Sequence, residues 1–83
     1  ASSLNLAIEV FETRVKLGAD DAFTRYYAAC AYALHGQREA ALSSLERAVL
    51  MRPAYTKARA RVEPELAALR DDLAFRQLIA GPA

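Results

Sequence analysis

A chain of 83 residues, 54% of them hydrophobic, has room for one small domain, and a domain this size removes only about 60% of its unfolded surface from water. A formal net charge of +1 excludes a strong whole-molecule field that would steer nucleic acid or acidic membranes toward it, and no apolar run approaches the roughly 20 residues needed to span a bilayer. Many alanines, with only three glycines and three prolines, exclude a disordered chain and leave a closely packed all-α protein.

The first expected helix runs from Leu4 to Leu17. Its apolar residues Leu4, Ala7, Ile8, Phe11, Val15 and Leu17 recur mostly at three-and-four spacing, which gathers them on one face. Ser2 or Ser3 offers a cap, and Gly18 is a left-handed terminator. Asp20 and Asp21 offer caps for a second helix, Ala22 to Leu34, ended by Gly36. That helix is apolar almost all round, so neighbours are expected on several sides. A third helix, about Arg38 to Met51, places Ala41, Leu42, Leu45, Ala48 and Val49 on one stripe, with Pro53 just beyond its end. The chain resumes as a helix from about Tyr55 to Val62. Glu63, preceding Pro64, marks a boundary. Leu66 and Leu69 suit a short turn, and Asp71 or Asp72 opens a last helix with Leu73, Phe75, Leu78 and Ile79, ended by Gly81 and Pro82.

The segment Ala22 to Tyr55 spans 34 residues and resembles a tetratricopeptide repeat, whose signature distributes Trp, Leu, Gly, Tyr, Ala, Phe and Pro over that period. Tyr32, Ala41 and Pro53 match outright, Ala29 exchanges one small residue for another, and Leu45 is apolar for aromatic. Arg25 replaces the aromatic at the start and Ala28 the leucine. One period upstream, Ala41, Leu42, Leu45 and Val49 fall on Ala7, Ile8, Phe11 and Val15, so the first helix resembles the second half of an incomplete repeat in a fragment of a longer protein. The tail, through Glu63, Pro64, Glu65, Leu66, Leu69, Arg70, Asp71, Phe75 and Leu78, resembles the segment that closes many bacterial repeat arrays, with Leu73 where a second proline is common. The resemblance implies an all-α, right-handed α-α superhelix: residues 1–19 half a repeat, 22–55 a complete one, 56–83 a C-terminal cap. A terminal cap has to cover apolar surface and face water at once. Leu69, Leu73, Phe75 and Leu78, interleaved with Arg70, Asp71, Asp72, Arg76 and Gln77, supply both faces.

No set of residues converges for catalysis, and the reading is a non-enzymatic chain without cofactor or metal. The one nucleophile–base combination, Cys30 with His35, sits about 140° apart around a helix. Asp20 with Asp21 and Asp71 with Asp72 read as caps and dipole partners. A lone cysteine forms no internal disulfide, and a reducing, cytoplasmic setting is the expectation; nothing resembles a signal peptide. Arg52, Lys57, Arg59 and Arg61 form a basic run, either a solvated helix face or a small patch for an acidic peptide or nucleic-acid backbone.

The repeat resemblance implies that Phe23, Tyr26, Tyr27, Cys30 and Ala33 line a concave partner-binding groove. Periodicity puts Phe23, Tyr26, Tyr27 and Cys30 on a shared face, and groove and core both suit them. The basic and asparagine residues with which some members of the family clamp a C-terminal carboxylate are absent. The expected function is a protein-interaction module that holds a protein or peptide partner. The alternative is self-association through the first helix as a structural scaffold, with nucleic-acid binding by the run from Arg52 to Arg61 third.

Overall fold

The computed structural model describes residues 3–18 and 20–80, with the side chains of residues 3–5 and 7 excluded. The expected Ser2 cap and the Gly81–Pro82 stop therefore lie outside the described residues, as do the side chains of Ser3, Leu4 and Ala7. Every regular element among the described residues is helical: α1 (Ser3–Lys16), α2 (Ala22–Leu34), α3 (Arg38–Met51), α4 (Pro53–Val62), a 3-10 helix (Pro64–Leu69) and α5 (Leu73–Leu78).

Local chemistry sets the ends of these helices. The Asp21 carboxylate accepts the Thr24 amide at 2.7 Å, which satisfies one of the donors a helix start leaves without a partner. At the other end of α2, Gly36 takes φ +78°, a conformation that costs glycine little and residues with a Cβ much more. The turn then closes with the Gln37 amide on the Tyr32 carbonyl at 2.9 Å and the Gly36 amide on the Ala33 carbonyl at 3.2 Å. Those two bonds are the paired closure of a Schellman cap. His35 is the cap residue. Gly18, at φ +94°, ends α1 in the same left-handed conformation.

The turn His35–Gly36–Gln37 folds α3 back beside α2 as an αα-hairpin, and this is the most extensive packing in the molecule. Small residues make it close. Ala28 and Ala29 on α2, and Ala41 and Ala48 on α3, are buried with Leu45 in one cluster, so few long side chains hold the two backbones apart. α1 packs on α2 through Ile8 and Phe11, which lie against the cluster. Phe11 meets Tyr32 edge to face at 6.1 Å, and the Tyr32 hydroxyl donates to Glu12 at 3.1 Å.

Two boundaries differ from expectation. α4 starts at Pro53 itself, with Arg52 alone between it and α3, because proline at the first helical position gives up only an amide that would lack a partner anyway. The buried Thr56 hydroxyl ties the junction by donating to the Ala48 carbonyl at 3.1 Å. The expected short turn at Leu66 and Leu69 is a six-residue 3-10 helix, whose three-residue repeat stacks those two leucines on one side.

The C-terminal third then wraps the hairpin: the 3-10 helix packs on α2, and α4 and α5 on α3. Leu66, Leu69 and Phe75 enter the common core. Asp72 caps α5 by accepting the Ala74 amide at 2.9 Å, and it also accepts two bonds from Arg38 of α3. The Arg38 guanidinium is the main reason the Asp72 carboxyl is held below its usual range. Leu73 corrects the expected inward set. It follows the cap directly, at the first helical position, and is exposed.

Candidate functional site

α2 carries all five residues expected to line a groove, and the fold divides them. Tyr26, Cys30 and Ala33 are buried in the core, whereas Phe23 and Tyr27 are 43% and 60% exposed. The three core residues are thereby removed from the groove set. The physical reason is the returning C-terminal segment. It lays the 3-10 helix along α2 and brings Glu63 to the Tyr26 hydroxyl, which donates to it at 2.9 Å. Burial, and then this bond, push the Tyr26 phenol far above its ordinary pKa. Burial likewise raises the Cys30 thiol to about 12, so the thiolate, the reactive form, is scarce at neutral pH.

The basic run is also absorbed by the chain itself. Lys57 donates to the Ala80 carbonyl at 3.0 Å and Arg61 to the Ile79 carbonyl at 2.9 Å. These two residues, four apart on α4, hold the carbonyls at the end of α5, where a helix favours positive charge. Arg59 bonds the Tyr55 hydroxyl at 2.7 Å and Glu63 at 3.3 Å, with its guanidinium 5.2 Å from the Tyr26 ring centre. The Glu63 bond, first among its causes, raises the Arg59 pKa. Arg52 sits over the Phe23 ring at 5.8 Å. Arg70, outside the run, donates to the carbonyls of Ala60 at 3.1 Å and Glu63 at 2.7 Å, and also to that of Arg61. One side chain thus satisfies the carbonyls where α4 ends.

An open groove remains between α1 and α2, of roughly 250 Å³. Val10, Phe11 and Arg14 form one wall, and Phe23, Thr24, Tyr27, Ala28 and Ala31 the other, with Asp21 at the end. Phe23 is braced edge to face against Tyr55 at 5.2 Å, and Tyr27 against the buried Tyr26 at 6.1 Å. The aromatic walls are therefore held from behind. Sequence reasoning named Phe23 and Tyr27 but not the α1 wall, because Val10 lies off the stripe that packs inward. Its apolar neighbour at four-residue spacing, Leu6, was the available signal.

For other chemistry, Cys30 is buried while His35 is exposed. Among the described residues no three of His, Cys, Asp and Glu cluster as metal ligands, and no helix is long and apolar enough to cross a membrane. The two acidic pairs serve as caps and ion-pair partners. Asp21 holds Thr24, and Asp20 forms two bonds with Arg25, one at 3.0 Å. The Arg25 bonds hold the Asp20 carboxyl below its usual range. No protein-family model, curated protein or solved structure matches the chain.

Proposed function

We propose that this chain is a non-enzymatic protein-interaction module, built like a segment of a tetratricopeptide-type array and closed by its own C-terminal segment, that holds a peptide or protein partner in the groove between α1 and α2. The carrying observation is that Phe23 and Tyr27, two aromatic side chains on a hairpin fixed by buried alanines, stay exposed in a concave site while their neighbours on α2 are buried. Aromatic residues in a pocket give large contact area for little lost side-chain freedom, and such residues dominate the binding energy of interfaces. The repeat reading draws support from the burial of Ala29, Tyr32, Ala41 and Leu45, which fall at signature positions of the 34-residue period. The right-handed superhelix and cytoplasmic setting belong to the same reading.

The test is to pan a random peptide phage library against the immobilised chain and titrate the enriched peptides into wild type and Tyr27→Ala. Tyr27 is exposed, so the variant should keep its circular dichroism and melting temperature while affinity falls by about tenfold or more. Equal affinity for both proteins, or no enriched peptide, would refute the groove.

A further inference from the structure

The outward face of α1 carries a second surface, which adjoins the groove and shares Val10 and Arg14 with it. Leu6, Val10 and Leu17 are 58%, 50% and 81% exposed, and at 100° per residue they fall with Thr13 within an arc of about 60°. Ile8, Phe11 and Val15, which turn toward the body of the protein, occupy the opposite side. The spacing along this outer stripe is four, three, four, which is the seam of a helix pair. Leu6, Glu9, Val10, Thr13 and Arg14 together line a shallow depression there. Leu17 still belongs to the helical path, since its amide bonds the Thr13 and Arg14 carbonyls at 3.1 Å.

Charge on the flanks of the seam selects the occupant. Glu9 and Lys16 stand on the same flank, roughly 70–90° from its centre. Among the described residues neither makes an ion pair within its own chain. Around a two-fold axis between antiparallel helices, each flank meets its own copy, so an acid toward one end and a base toward the other are self-complementary.

We propose that the chain pairs with a second copy of itself through α1, antiparallel about a two-fold axis. Leu6 packs against Leu17 of the second copy, Val10 against Thr13, and Glu9 meets Lys16. With Leu6 level with Leu17, Glu9 and Lys16 are offset along the axis by about 3 Å at 1.5 Å per residue, within reach of both side chains. Symmetry makes the ion pair twice. A parallel pair would set Glu9 against Arg14 instead and align the two helix dipoles unfavourably; Arg14 also borders Asp21 of its own chain in the groove. Val10 lines both the groove and the seam, so a groove ligand that covers Val10 competes with the second copy.

Sedimentation velocity from about 20 µM to about 1 mM, the range for a contact at the weak end of interface sizes, should show a monomer–dimer equilibrium. Glu9→Lys and Lys16→Glu each replace two attractions by two repulsions and should each weaken association by about tenfold. Mixing the two variants should restore it, because every flank then pairs opposite charges again. Arg14→Glu should leave it within about twofold. A monomer throughout overturns the proposal, as does failure of the mixture to recover; disruption by Arg14→Glu but not Lys16→Glu overturns the antiparallel register. Leu17→Asp, at an exposed position, should abolish the dimer while leaving the helical spectrum unchanged, and a dimer that survives it contradicts the seam.

Discussion

Replacing Phe75 by alanine is expected to remove about 3–5 kcal/mol of folding stability. For a chain of 83 residues, total stability is on the order of 4–12 kcal/mol, so this one ring accounts for a large share. The reason is its place rather than its size alone. Phe75 is fully buried, on the short helix α5, and it sits in one cluster with Leu45, Leu66 and Leu69. Six residues are too few to hold a helix by their own hydrogen bonds. Their order comes from the Asp72 cap, from Lys57 and Arg61 on the terminal carbonyls, and from this ring. Emptying its site loosens the whole wrap over α2 and α3. Urea titration followed by circular dichroism should show the midpoint collapsing toward zero denaturant. A loss below about 1 kcal/mol would mean that the C-terminal segment is an appendage and not part of the cooperative fold.

Enlarging Ala41 to leucine should cost about 1–3 kcal/mol by an opposite mechanism. Ala41 is fully buried in the contact between α2 and α3, where a longer side chain has no space unless the helices part. Parting them would disturb the buried cluster that Ala41 shares with Ala29, Leu66 and Leu69. The same substitution at the exposed Ala58 of α4 should change stability by less than about 0.5 kcal/mol. Thermal melts of the two variants make the comparison directly. If both behave alike, the hairpin is not held by close alanine packing.

The parts of this fold that were readable in the sequence are those governed by neighbours in the chain. Asp21, Gly36 and the apolar stripes of α2 and α3 carry their helix boundaries locally, and the observed spans agree with them. Pro53 was legible as punctuation but ambiguous in sense, since proline suits the residue after one helix and the first residue of the next. The 3-10 helix had a signal in the three-residue step from Leu66 to Leu69, a period that also suits a single turn. What periodicity could not separate was Tyr26 from Tyr27. They are adjacent on a helix with apolar residues nearly all round, and the residue that decides between them, Glu63, lies 37 positions away. The basic run is a similar case. Lys57, Arg59 and Arg61 have the spacing of a surface patch, and only the returning tail shows that they hold its carbonyls and Glu63.

The claim on which the rest depends is that the C-terminal segment seals one side of α2 and leaves the groove against α1 as the open one. Cys30 reports on this seal. Its thiol is buried and raised to about 12 from an ordinary value of 9.0. The shift is upward, so the native state keeps its proton where the unfolded chain would lose it, and this contribution to stability is complete below about pH 9 and fades as pH rises toward 12. The direct measurement is the rate at which a disulfide reagent such as dithionitrobenzoate labels Cys30 at pH 8, in buffer and in denaturing urea. The account predicts labelling in buffer slower than in urea by at least about a hundredfold, because reaction must wait for the segment to open. Labelling of the native chain as fast as the unfolded one would contradict it, since Cys30 would then face solvent and α2 would lack its cover.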